Sequence, residues 1–280
     1  MLPSFLLALR EGIEAALIVG VVLGALKKMN RSDHAPRVWL GVIAAVVLSM
    51  LGAIVLNAVG AEFQGAAEQT FEGVTMLIAA GVLTWMIFWM QRQGRRIQSG
   101  LEADVRSALT RGQGWVLFSV AFFAVVREGL ELALFLTAAN FSTPEAGLEA
   151  PILGWLGGVL GLIAATVVGW LLFDTTVKLN LRRFFQLTSV LLIIFAAGLV
   201  GHAVHEFNEL GWIPPVVEHL YDVNSLVSEE TTFGLFLKAL FGYNANPSLT
   251  ETIGYLGYFV AVYLVTRWMD RPREVAASPS

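Results

Sequence analysis

Two copies of one octapeptide place charge where an apolar chain does not ordinarily carry it. Arg10-Glu11-Gly12-Ile13-Glu14-Ala15-Ala16-Leu17 returns as Arg127-Glu128-Gly129-Leu130-Glu131-Leu132-Ala133-Leu134, displaced by 117 residues. Each copy lies within a long hydrophobic stretch. On a helix the two glutamates of a copy, three residues apart, share a face, and the arginine reaches the second glutamate four residues on. Each copy therefore offers two carboxylates and one internal counter-charge, and the pair of copies sums to a net charge of −2 if all four acids ionise. Carboxylate oxygens are hard ligands, suited to Fe3+, Mn2+ and similar cations and poorly suited to Cu+. Gly12 and Gly129 remove bulk beside the acids and let helices approach closely. The candidate metal ligands are thus Glu11, Glu14, Glu128 and Glu131, supported by Arg10 and Arg127. Arg–Glu pairing that only ties helices together is the bland alternative, but each copy has more acid than base, and the excess needs a cation or a proton.

The composition says what must hold these groups. Of 280 residues, 56% are hydrophobic and 14% charged, and the mean hydropathy is +0.68, a balance that belongs in a bilayer. Cysteine is absent, which excludes disulfides, thiolate zinc sites and iron–sulfur clusters. A spanning helix needs about 20 mostly apolar residues, and seven stretches qualify: 3–27, 36–60, 69–91, 115–139, 152–174, 183–206 and 252–269. The first begins almost at Met1 with no basic stretch ahead of it, which predicts a retained helix rather than a cleaved signal.

Charge alternates between the connections. Lys27, Lys28, Arg31 and Arg37 flank the first, Arg92, Arg95, Arg96, Arg106 and Arg111 the third, Lys178, Arg182 and Arg183 the fifth, and Arg267, Arg271 and Arg273 the tail. Fifteen of the eighteen basic residues fall on one side, Lys238 alone falls on the other, and Arg10 and Arg127 lie within spans. The positive-inside rule then predicts an N-terminus outside and a C-terminus in the cytoplasm. From the outer end of the first span, at about 1.5 Å per residue, Glu11 and Glu14 lie roughly 13–18 Å deep, near the middle of a hydrocarbon core about 30 Å thick. A charge there costs on the order of 2.5–3.5 kcal/mol on insertion scales.

The 117-residue displacement also relates Ala79-Ala80-Gly81 to Ala196-Ala197-Gly198. Spans one to three therefore read as duplicated in spans four to six, and an odd number of spans inverts the second copy. The expected fold is an all-α integral membrane protein of seven transmembrane helices, a 3+3 inverted repeat plus one. The expected organisation is one membrane domain over 1–280, with repeat one at 1–91, repeat two at 115–206, an acidic outer loop at 207–251 and the seventh helix at 252–269.

The doubled Arg-Glu-Gly-hydrophobic-Glu motif, in spans one and four of a seven-span chain, resembles the oxidase-dependent iron transporters, which include the bacterial EfeU-type permeases and the fungal high-affinity iron permeases. The resemblance covers about residues 1–270, and the short tail is more similar to the bacterial branch. It implies a permease, not an enzyme, that imports iron as Fe3+ or Fe2+ across the cytoplasmic inner membrane. It also implies iron carriage by Glu11, Glu14, Glu128 and Glu131, with no permanently bound cofactor. A separate oxidase or periplasmic iron-binding protein would be the partner, alongside membrane lipid and without nucleic acid. A permease or antiporter for another divalent metal, Mn2+ or Pb2+, is the alternative.

Further acids and histidines sit at the outer ends. Glu68 and Glu72 open span three, and His202, His205 and Glu206 close span six, which makes them a candidate outer entry site; Glu72-Gly73 also resembles the family pattern. For the histidines, interfacial residues satisfied by backbone or water are an equal alternative. Segment 207–251 sets Glu209, Glu218, Asp222, Glu229 and Glu230 against Lys238, an acidic face that would concentrate cations or dock a basic partner, or simply be solvated. Residues 233–241 are too short to span and predict an interfacial or re-entrant helix. Trp85, Trp89, Trp115, Trp212 and Trp268 fit an aromatic belt.

Overall fold

A computed structural model of the chain describes residues 2–93, 114–142, 149–174, 181–229 and 231–269. Eight α-helices occupy them: α1 (Leu2–Lys28), α2 (Ala35–Glu62), α3 (Ala66–Gln93), α4 (Gly114–Phe141), α5 (Glu149–Asp174), α6 (Leu181–Glu209), α7 (Thr232–Phe241) and α8 (Leu249–Met269). A 3-10 turn at Ser32–His34 leads into α2. The described residues contain no strand. Each stretch expected to span lies within a long helix, and the short helix expected at 233–241 is α7.

Five helices, α2, α3, α5, α6 and α8, are long and apolar enough to cross a membrane by composition alone. The other two long ones, α1 and α4, are 27 and 28 residues and differ in carrying the charged octapeptides at mid-length. Apolar side chains cover the outward faces: Ile43, Val47, Met50, Leu51 and Ile54 on α2, Ile152, Leu156, Val159 and Ile163 on α5, Ile253, Leu256, Val260 and Leu264 on α8. Such a continuous apolar exterior suits lipid as solvent and would be a large liability in water.

Inside, α1 packs mainly on α5, α2 on α4 and α3 on α6, while α1 and α4 meet each other across the centre. One core cluster joins Leu7 and Ala8 of α1, Met76, Leu83 and Met86 of α3, Phe135 of α4 and Phe195 and Leu199 of α6. A second joins Val19, Val22 and Leu26 of α1 to Val38 and Ala45 of α2 and Leu117, Ala121 and Val125 of α4. On both helices the charged residues of the octapeptide lie, in sequence, between members of the two clusters.

The segment between α6 and α8 is built rather than loose. Thr231 caps α7 by accepting from the Gly234 amide at 3.0 Å, and Gly242 ends it with φ +65°, a left-handed conformation glycine adopts without steric penalty. The Gly242 backbone lies directly on Gly198 of α6, where neither could carry a side chain. Lys238 donates to Glu229 Oε2 at 2.8 Å, Glu229 Oε1 accepts from the Ala245 amide at 2.6 Å, and the Tyr243 hydroxyl donates to the Val227 carbonyl at 2.8 Å. The basic residues Arg95, Arg96, Arg106, Arg111, Lys178, Arg271 and Arg273, and the acidic Glu230, lie outside the described residues.

Candidate metal centre

Helix periodicity turns all four motif glutamates inward, and tertiary packing brings the two copies together. Carboxylate oxygens of Glu11, Glu128 and Glu131 lie within 4.8 Å of one another, an arrangement open to a single metal ion. Glu14 is close enough to Arg127 and Glu131 to feel their charges. Glu11 and Glu128 are almost wholly buried, at 1% and 3% exposure.

Small residues make this convergence possible. A Cβ on Gly12 would run into Ala165 and Leu162 of α5, and one on Gly129 would run into Ser49 of α2. Each glycine seats its own helix against the second helix of the other half of the chain.

The arginines hold the acids in two ways. Arg10 is fully buried and divides itself, with Nη1 at 3.3 Å from Glu11 Oε1 and Nη2 at 3.3 Å from Glu14 Oε1. Its nitrogens also reach two thioethers of α3, Met86 Sδ at 3.5 Å and Met90 Sδ at 3.6 Å. Arg127 instead donates from Nε to Glu131 Oε1 at 2.8 Å, with Glu128 Oε1 4.0 Å from Nη1. Its guanidinium lies over Trp89 and Trp85, 4.9 and 5.8 Å from the ring centroids, and its side chain is 32% exposed.

After this pairing three carboxylates each keep a buried oxygen with no hydrogen-bond or ion-pair partner among the described residues: Glu11 Oε2, Glu128 Oε2 and Glu131 Oε2. Leaving a buried acceptor unpaired costs about 1–3 kcal/mol, more when it is charged. Glu11, Glu128 and Glu131 thus bring oxygen donors together in one place, and oxygen donors are what hard cations prefer.

The outer candidates spread over the contacts of α6 with α3 and with α8, with His205 and Glu206 within electrostatic range of each other. Glu68, Glu72 and Glu206 gather within electrostatic range of one another where α3 meets α6. His205 turns to α8, its Nδ1 donating to Glu251 Oε1 at 2.8 Å and its Nε2 lying 3.3 Å from Glu209 Oε1. His202 sits one turn deeper, buried against the outer segment. Glu251 went unsingled in the sequence. Its signal was the Ser248-x-x-Glu251 pattern of a helix start, with the Glu251 amide donating to Ser248 Oγ at 3.1 Å. Trp85 and Trp89 fitted an aromatic belt and Met86 and Met90 carried no motif, so none of the four stood out as a companion of the arginines.

The iron permease FTR1 family model matches residues 1–270. The chain belongs to the iron permease family. A protein of Yersinia pestis named ferrous iron permease EfeU is 36% identical over 99% of this chain and 96% of its own length. Relatives of the same name from Yersinia pseudotuberculosis and Escherichia coli are 37% and 38% identical, covering 98% and 93% of this chain and 94% and 93% of their own lengths. No solved structure matches. With several helices apolar enough to span and permease relatives over nearly its full length, this family member is a multi-pass membrane protein.

Proposed function

We propose that the chain imports iron across the cytoplasmic membrane through one site shared by the Arg-Glu-x-x-Glu motifs of α1 and α4. The observation that carries this reading is the convergence of Glu11, Glu128 and Glu131, each with a buried oxygen that lacks a partner among the described residues, at the place where the two helices meet. A site of net charge −2 neutralises a divalent ion and holds a trivalent one with a single positive charge left over. Arg10 and Arg127 keep the empty site from collecting four uncompensated charges in a low dielectric. When an ion binds, the acids exchange part of their arginine pairing for metal coordination, and release restores it.

The architecture in this reading is seven spans with a 3+3 inverted repeat, residues 1–91 against 115–206. The helix pairing supports it: a two-fold relation exchanging α1–α3 with α4–α6 maps the α1–α5 contact onto α4–α2 and returns α3–α6 onto itself. Carriers of this kind bind cargo where the repeats meet, near the midplane. The basic flank at Lys27 and Lys28, which ends α1, supports an N-terminus outside and a cytoplasmic C-terminus. The acidic group Glu68, Glu72 and Glu206 would gather cations at the outer mouth. The chain carries no oxidising centre in this reading, and oxidation, where required, belongs to a separate partner.

Uptake of radiolabelled iron into proteoliposomes, with and without an oxidant, tests the proposal. Glu14→Gln and Glu131→Gln, correctly inserted, are expected to abolish uptake. Undiminished uptake by both variants would make the glutamates structural. Entry of Mn2+ or Pb2+ but no iron under either redox condition would change the cargo and keep the site.

A further inference from the structure

A mostly apolar cavity with a few polar groups in its wall lies apart from the motif centre. Its volume is about 220 Å3, and His202, Tyr221, Tyr243, Asn244, Glu251 and Tyr255 form part of its wall, where α6, the outer segment and α8 meet. His202 is only 9% exposed, and its Nε2 is buried without a hydrogen-bond partner among the described residues. Helical spacing puts this ring at a seam. Leu199 and Ala203 on one side pack into the core, while Gly198 and Gly201 on the other lie against Gly242 and Tyr255.

A neutral imidazole offers one nitrogen lone pair, and an unpaired one beside a cavity is a ligand in search of a partner. Glu251 supplies the charge. It is 6% exposed, and its oxygens accept from His205 Nδ1 at 2.8 Å and Asn244 Nδ2 at 2.7 Å. Those bonds fix the carboxylate while leaving each oxygen a further lone pair, the way outer partners orient a metal ligand. Tyr221 lies within electrostatic range of Glu251. The nearby cation Lys238 is held by Glu229 Oε2 at 2.8 Å.

We propose that His202 and Glu251, with Tyr221 beside them, form a second cation site for a divalent first-row metal ion, on the outer side and separate from the motif glutamates. The proposal rests on the permease reading and extends it. Imidazole with one carboxylate suits the borderline cations of this row better than it suits Mg2+ or Ca2+. The site carries a single negative charge against −2 at the motif centre, so it holds an ion less tightly. A loading station requires that order, because the ion must leave it for the deeper site. An ion there also links the outer segment to α6 and α8.

Anaerobic equilibrium dialysis of Fe2+ against the purified full chain tests this. The chain in which Glu11, Glu14, Glu128 and Glu131 are all changed to Gln is expected to keep about one Fe2+, and adding His202→Gln is expected to remove it. In the otherwise unaltered chain, His202→Gln is expected to lower the bound iron from about two ions to about one, and to raise the iron concentration for half-maximal uptake about tenfold. A four-fold Gln chain that folds but binds no iron overturns the second site and leaves the motif centre standing, provided the unaltered chain still binds. Bound iron unchanged by His202→Gln in the unaltered chain overturns it as well, whether or not the four-fold variant folds. Failure of the unaltered chain to bind or transport iron removes the permease reading itself.

Discussion

The two copies of the octapeptide differ in how a third helix receives them. In the first, Arg10 is sealed from solvent, splits its charge between Glu11 and Glu14, and turns its remaining contacts to the sulfurs of Met86 and Met90. In the second, Arg127 commits to Glu131, stands farther from Glu128, stays about a third exposed and lies on Trp85 and Trp89. The repeated local sequence decides which charges enter the membrane; α3, which touches both arginines, decides how firmly each is held.

Removing the arginines breaks the comparison most directly. Arg10→Ala strands two acids in a dry site and is expected to destabilise the protein by about 3–5 kcal/mol. Arg127→Ala, at a wetter position, is expected to do less. Thermal unfolding in detergent measures the difference, and equal losses would mean that burial does not distinguish the two copies.

The glycines probe the same halves through packing. Gly12→Ala and Gly129→Ala are each expected to cost about 1–3 kcal/mol by overpacking. Ala165→Gly should rescue the first and Ser49→Gly the second, since those are the atoms a new Cβ meets. Cross-rescue, or none, would show that the seats are not local.

The α3 contacts sharpen the contrast. Trp89→Leu removes a cation–π contact worth about 0.5–2 kcal/mol and is expected to lower iron uptake several-fold with little effect on folding. Met86→Leu nearly conserves volume and is expected to cost under about 1.5 kcal/mol, with uptake nearly unchanged. A Met86→Leu effect on uptake larger than that of Trp89→Leu would reverse the assignment of the looser arm to the second copy.

Much of this was legible in the sequence, and the reason is the solvent. Long apolar runs leave few options for the backbone, so every long helix was expected within a few residues. Charges inside such runs are conspicuous, and a repeat of eight residues marked the centre twice. The outer groups were less legible. His202 and His205 are three residues apart and so share a helix face, and spacing alone does not tell that His205 bonds Glu251 and lies against Glu209 while His202 lines the cavity. Glu251 looked like a helix-start residue and is one, yet the same carboxylate also gathers His205 and Asn244. Trp85 and Trp89 satisfied a belt pattern that gives no account of what lies across from them. Contacts made between distant helices leave no periodic trace in the chain that makes them.

The seats on α3 have a mechanical corollary. Met86 and Met90 form one edge of the helix and Trp85 and Trp89 the next, a single residue step or about 100° around its axis. Twisting α3 therefore works like turning a two-sided key, because the motion that slides sulfur away from one guanidinium also draws indole from beneath the other. The two halves of the carrier share one shaft, and neither counter-charge can be loosened without the other feeling the turn.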